Sequence, residues 1–232
     1  MKKSLIVLVC SLLLLSCTVT EQASVSSGTK GTSLTDIYVE DYFIDVLTDF
    51  AEFMPASDES IMDSAVSTFA GQLNDAPSAT GVAAVRSDAN NYAVYFDFAS
   101  FEKLAGELSG GKSGTIIKQS ANSLSFYVDI SNYEELEAVV PFLADPNIEV
   151  FLAKYNIGYS EEDYMDMIVF SLGEEAPESL RNSMITIDIQ LPGKVSSVTG
   201  AVKTSDTSIR YQFPLIDFLL LSEPLSFNVT WK

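Results

Sequence analysis

The chain has 232 residues, enough for one large or two small domains, and 47% of them fall in the apolar set AVILMFWYC against 19% charged, which is the composition of a folded protein and not of a disordered one. Its 13 Lys+Arg against 32 Asp+Glu give a net charge of −19, which excludes a positive field able to gather nucleic-acid phosphates. There is no histidine, so the commonest general base and metal ligand are missing.

Met1 to Cys17 reads MKKSLIVLVCSLLLLSC, two lysines followed by an apolar stretch from Leu5 to Leu15 that only Ser11 interrupts. The run is too short to cross a hydrocarbon layer of ~30 Å as a helix, which takes about 20 residues, and a small residue and Cys follow it directly, as in an export signal. Leu14-Leu15-Ser16-Cys17 resembles the lipobox of bacterial lipoproteins. That resemblance implies diacylation of the Cys17 thiol, cleavage before it and acylation of the new N-terminus, with residues 1–16 as the signal peptide. Cys10 then leaves with the signal and Cys17 becomes a thioether, so disulfides, Cys-ligated zinc and a thiolate nucleophile are excluded from the mature chain. The expected partner is a membrane, reached through palmitate-like chains on Cys17, and the expected location is the bacterial cell envelope. Thr18 in place of Asp after Cys17 leans toward the outer membrane.

Thr18 to Thr35, TVTEQASVSSGTKGTSLT, is rich in Ser, Thr and Gly, and residues 17–35 are expected to be the lipidated Cys and a flexible tether. An acidic body on such a tether stands off anionic headgroups. The domain is expected over residues 36–232. Val39, Phe43, Val46, Leu47, Phe50 and Met54 follow helical spacing with Asp41, Asp45, Asp49 and Glu52 opposite, so the spacing predicts a helix over 36–54 that Pro55 stops. Ser57 is expected to cap a second helix through Ile61, Ala65, Phe69 and Leu73.

The pattern then changes to period two. Residues 81–86 and 92–98 flank Asp88-Ala89-Asn90-Asn91 as a hairpin, and residues 115–118 and 124–130 flank Ser120-Ala121-Asn122 as another, with a short helix at Phe101–Leu108 between them. Ser131 or Asn132 is expected to cap a helix holding Leu136 and Val140, interrupted at Pro146 before a second stretch to Lys154, and Ser160-Glu161-Glu162-Asp163 opens another through Leu172. The block 183–232 returns to strands at 184–191, 194–198, 208–213 and 225–231, with Pro214 to Leu221 a buried turn or helix. The sum is an α+β domain, a mostly antiparallel hairpin-built sheet covered on one face by several helices.

Without histidine a Ser-His-Asp triad is impossible. Lys112-Ser113 and Lys118-Gln119-Ser120 sit in turn-like segments that fit solvated loops better than a Ser-Lys dyad. Gly110-Gly111-Lys112-Ser113-Gly114 has a phosphate-loop look, but a strand follows where a helix is required. Paired carboxylates are the one catalytic class left, and the acids are mostly on exposed helix faces, the signature of a solvated surface. Glu161-Glu162-Asp163 and Asp41/Asp45/Asp49 offer oxygens without a calcium-loop pattern. No catalytic residue, metal or cofactor is expected. The 25 aromatics, at alternating or helical spacing, build a core that has room to line an apolar pocket.

In the last third, Ile187-Asp188-Ile189-Gln190-Leu191-Pro192-Gly193-Lys194-Val195, Gly200-Ala201, Ile209 to Phe213 and Phe227 to Trp231 resemble the LppM-type domain of bacterial lipoproteins. There a strand ends in a Pro-Gly turn and a Trp-bearing strand follows; Thr199 and Tyr211 depart from the commoner Asn and Trp. The stretch DPNIEVFLAKYNIGYSEEDYMDMI ahead of the strand block is similar to uncharacterised spirochaete-type surface lipoproteins. These resemblances imply a non-enzymatic, envelope-attached domain that binds an envelope lipid or amphiphile, with a structural or host- and protein-interacting surface lipoprotein as the alternative and a two-carboxylate hydrolase third.

Overall fold

The computed structural model describes residues 18–45, 60–111, 114–144 and 149–232. Cys17 and the signal, the expected helical residues Val46, Leu47, Asp49, Phe50, Glu52 and Met54, the stop at Pro55, the cap at Ser57, the Lys112-Ser113 pair and Pro146 lie outside the described residues.

The chain begins with a correction. Thr18–Val25 (β1) and Gly31–Tyr38 (β2) pair as an antiparallel hairpin, with Thr18 opposite Tyr38 and Val25 opposite Gly31. The expected flexible tether is thus a pair of strands, and among the described residues the fold already includes Thr18 and does not begin at Asp36. Its Ser and Thr residues are one half of a period-two pattern whose other half is Val19, Glu21, Ala23 and Val25, and both strands find partners far along the chain. Asp36 to Tyr38 close β2, so the helix expected from Asp36 is helical only over residues 41–45 within the described part.

Two further hairpins follow the expected pattern. Ala79–Arg86 (β3) pairs with Asn91–Phe98 (β4), and Ile117–Ser120 (β5) pairs with Ser123–Val128 (β6) across Ala121-Asn122. The C-terminal block supplies Met184–Gln190 (β7), Val195–Thr199 (β8), Val202–Lys203 (β9), Ser208–Pro214 (β10) and Leu225–Trp231 (β11). They do not extend one sheet. A seven-stranded sheet runs β3-β4-β2-β1-β7-β10-β9 and a four-stranded sheet runs β5-β6-β11-β8. Among the described strands every pair is antiparallel except β1 with β7, where Thr18 stands beside Met184. The expected α+β class and antiparallel hairpins are present, divided between two sheets.

The register defines two faces of the large sheet. Thr20, Gln22, Asp36, Asp188 and Arg210 face water: Gln22 Nε2 donates to Asp36 at 3.1 Å, and Arg210 makes a two-pronged ion pair with Asp188 at 2.7 and 2.8 Å. The other face carries two cross-strand rows. One runs Val94, Thr35, Glu21, Ile187, Tyr211 and the next Phe96, Ser33, Ala23, Ile189, Ile209. The small sheet closes over the β10 side, where Tyr211 lies 5.3 Å from Phe227 and 6.1 Å from Phe126, ring centre to ring centre, a spacing typical of packed aromatic pairs. Gly193, in the Pro-Gly turn after β7, lets Lys232 come so close that any Cβ there would strike its carbonyl.

Helices fill the space the two sheets leave open. Ile61–Asp75 (α1) is capped by Ser60, whose hydroxyl accepts from Asp63 N at 3.0 Å, and turns Val66 and Leu73 into the core. Phe101–Leu108 (α2) starts at Ser100 and buries Leu104 and Ala105. Tyr133–Val139 (α3) follows a 3-10 turn at Ile130–Asn132. Asn132, one of the two expected caps, holds the N-cap position of α3 without a side-chain cap bond, and Asp129 caps the 3-10 turn before it, its carboxylate accepting from the amides of Ser131 and Asn132. Among the described residues the stretch to Lys154 is two 3-10 turns, Glu149–Phe151 and Ala153–Tyr155, and no continuous helix. Glu161–Leu172 (α4) has the expected Ser160/Asp163 capping box and ends at Gly173 with φ +98, which a Cβ would strain. Ala176–Asn182 (α5) follows, its entry set by Pro177, and Leu215–Leu220 (α6) is the expected buried helix after β10.

Candidate functional site

Between the inner face of the large sheet, α1, α2 and the small sheet lies a cavity of about 210 Å³. Its floor is the strand pair β1/β2 with Ile187 and Ile189 of β7, its helical wall is Phe69, Leu73, Phe101, Leu104, Ala105 and Leu108, and its far side is Leu124, Phe126 and Phe227. Each wall follows from a local pattern: period two along the strands, three-to-four spacing along α1 and α2. The two sheets touch through Tyr211, Phe126 and Phe227 on one side, and α1 packs chiefly on β3 at the other. The gap between them is what remains open.

One carboxyl group stands in this apolar space. Glu21 is an inward residue of β1, flanked along the strand by Val19 and Ala23 and across it by Thr35 and Ile187. The hydroxyls of Ser33 and Thr35 donate to its two oxygens, the second at 2.5 Å. Burial pushes the Glu21 carboxyl above its ordinary range; the Ser33 and Thr35 hydroxyls pull it part of the way back, and the charge of Asp36 adds to the rise. Glu21 is the one acid among the described residues lining the cavity. Sequence reasoning missed it because it lay in a segment read by composition. The signal was present all the same: in Val19-x-Glu21-x-Ala23-x-Val25 an acid occupies a position that the alternation assigns to the core.

A second buried acid, Glu40, accepts from Ser179 and ties the segment after β2 to α5. Burial raises its carboxyl and the Ser179 bond lowers it, with a net rise. A more open hollow lined by Gln72, Asp75, Ala76, Pro77, Glu107 and Leu108 has two acids, Asp75 and Glu107, in its wall. Burial raises Glu107, but the Ser78 hydroxyl and amide, both at 2.8 Å, together with Lys103 outweigh it and hold the carboxyl below the usual range. A general acid requires the opposite shift.

The residues singled out from the sequence are mostly dispersed. Lys118, Gln119 and Ser120 belong to strand β5 and not to the solvated loop expected of them, and the Ser120 hydroxyl shares a 2.7 Å hydrogen bond with that of Ser123 across the hairpin. Counted back from Lys112, Gly106 does complete the GxxxxGK[ST] spacing, yet Gly106 sits inside α2 and β5 follows, the reverse of the strand-loop-helix order that cradles phosphate. Asp41 accepts from Asn90 at 2.6 Å, Glu161 pairs with Arg181 at 3.1 Å, and Asp163 serves its helix cap. Among the described residues no group of three or more Asp, Glu, Cys or His could hold a metal ion, and no helix is long and apolar enough to cross a membrane.

Fold and cavity together define a two-sheet α+β domain with an apolar, carboxyl-floored pocket. No protein family matches the chain, and no curated protein matches it either. Among solved structures it is similar to the folded domain of LppM from Mycobacterium tuberculosis, determined by NMR, at 10% identity over 93% of this chain and 90% of that one, with a TM-score of 0.38. At that overlap neither topology nor function carries from one protein to the other.

Proposed function

We propose that the protein is an exported bacterial lipoprotein, anchored to a membrane of the cell envelope through acyl chains on Cys17, and that its domain binds an apolar or amphiphilic envelope component without catalysing a reaction. The cavity between the two sheets carries this reading. At about 210 Å³ it exceeds the roughly 150 Å³ of an apolar cavity that takes up benzene, and its walls offer an alkyl chain contact on all sides. A single lining carboxyl leaves no pair for two-carboxylate hydrolysis.

The anchor takes a different form from the expected tether. Cys17 is bonded directly to Thr18, the first residue of β1, so an acylated Cys17 holds the Thr18 end of the large sheet at the headgroups with no slack to stand off.

The test uses the chain from Thr18 onward, which contains every described element. Native and denaturing mass spectrometry of the purified protein should show a defined lipid mass that is lost on denaturation and absent from Ala105→Phe, which fills the cavity from α2. A clean apo-mass that does not shift with extracted envelope lipids would sink the proposal. Anchoring is tested separately by the mass of the acylated N-terminal peptide from the full chain expressed in a bacterial host, and its loss in Cys17→Ser.

One observation favours the protein-interacting alternative. Phe170 on α4 is 93% exposed, with Val169 beside it at 38%, and an aromatic presented this fully to water has the character of an interface anchor.

A further inference from the structure

The chemistry at the floor of the cavity narrows the ligand, provided the cavity is the binding site proposed above. Packing alone does not account for Glu21. Its strand neighbours on the inner face are Val19 and Ala23, its cross-strand neighbour toward the C-terminal block is Ile187, and any aliphatic residue would satisfy the alternation. A carboxylate offers about four acceptor positions. Ser33 and Thr35 supply two donors, both from β2. Toward the helices and the small sheet the cavity presents aliphatic and aromatic groups with no basic residue among the described lining. The ion pairs of the described residues fall elsewhere, among them Arg86 with Asp63, Lys154 with Glu137 and Arg210 with Asp188, and none involves Glu21. A carboxylate held this way has two hydroxyls fixing its direction and an unmet demand for positive charge on its cavity side, in surroundings where charge is costly until a counter-charge arrives.

We propose that the cavity takes a cationic amphiphile: an alkyl or acyl body seated among Leu73, Leu104, Leu124 and Phe126, with a protonated primary amine donating to Glu21. The ammonium brings three donors to the lone pairs that Ser33 and Thr35 leave open. Its chain displaces whatever water the apolar walls hold poorly. A carboxylate-headed amphiphile of the same length meets Glu21 as a like charge, and the net charge of −19 repels it before it arrives. A neutral alcohol gains the hydrogen bond alone.

Isothermal titration of the chain from Thr18 onward at pH 7.5, with dodecylammonium, dodecanol and dodecanoate each below its micellar concentration, tests this. The amine should bind at least about tenfold more tightly than the carboxylate, with the alcohol between. In Glu21→Gln the amine and carboxylate should converge to within about threefold while dodecanol binding is kept; this variant removes one charge of many, so the general acidity of the chain cannot mimic the change. Should Glu21→Gln fail to fold, Glu21→Asp keeps the charge but withdraws it by one methylene, and the preference for the amine should shrink. A preference for dodecanoate, or an amine preference that survives Glu21→Gln, overturns the proposal while leaving the cavity as an apolar site. Failure of all three compounds to bind would remove the binding reading itself, and this inference with it.

Discussion

The two faces of the large sheet are made by the same strands and treat charge in opposite ways. On the outer face Asp188 meets Arg210 and Asp36 meets Gln22 in water, where such pairs contribute little and cost little. On the inner face Glu21 is one residue away from Gln22 along β1, yet it has only two hydroxyls for company and a carboxyl pushed above its ordinary range by burial. The contrast shows that the described strands of this sheet place acids where solvent serves them, and that Glu21, the acid on their inner face, is an exception retained at a cost. The comparison can be broken first at its scaffold. Removing residues 18–35, the stretch whose composition suggests a tether, takes away β1 and most of β2 and parts β4 from β7; the remainder should show no cooperative thermal unfolding by circular dichroism. A domain boundary at Asp36 predicts a normal transition instead.

The next largest effect belongs to the clamp that keeps the two faces distinct. Phe227→Ala removes a ring stacked on Phe126 and set against Tyr211, and should lower stability by about 3–5 kcal/mol in urea unfolding. Glu21→Gln should act with a sign and a pH dependence of its own. Because the folded-state value of Glu21 is raised, its contribution favours the fold below the unfolded carboxyl range and is lost as pH rises through the folded value. The variant, which cannot ionise, should therefore match the native chain near pH 4 and exceed its stability by on the order of 1 kcal/mol at pH 8. Asp36, whose charge adds to the rise, is present in both chains and cancels in the comparison. On the outer face Asp188→Asn should cost under about 1 kcal/mol, and the cost should fall in high salt. Smallest of all, Phe170→Ser should leave stability within about 0.5 kcal/mol, since the ring touches so little of the fold.

Where hydrophobic periodicity was strong, the elements could be read from the chain: the β3/β4 and β5/β6 hairpins, the Ser160/Asp163 cap and the strand of alternating isoleucines at 185, 187 and 189 all form as their spacing requires. The β1/β2 hairpin was legible only in retrospect, because its inward positions hold Ala, Ser, Thr and Glu alongside Val and Ile. A strand that faces a cavity carries less apolar mass than one that faces a filled core, so the segment nearest the candidate site gives the weakest strand signal. The division of the last block between two sheets was not readable either. All four strands mix apolar with polar residues, and the long-range partners β1 and β6 decide which sheet β7 and β11 join. Glu21 thus escaped twice, once through the weak strand pattern and once because its hydroxyl partners are defined by register and not by sequence distance.

The parallel pairing of β1 with β7 also imposes a schedule on the chain. Among the described strands β1 is made first and waits for a partner that follows only after β2 to β6 and the helices between, and pairings this distant in sequence close slowly. During that interval the β1/β2 hairpin can join β4, but the far side of β1 stays an open edge able to recruit another chain. The strand that floors the cavity is therefore also the one most in need of escort on the way to its final place, and a chain cut short before Met184 leaves that edge open for good.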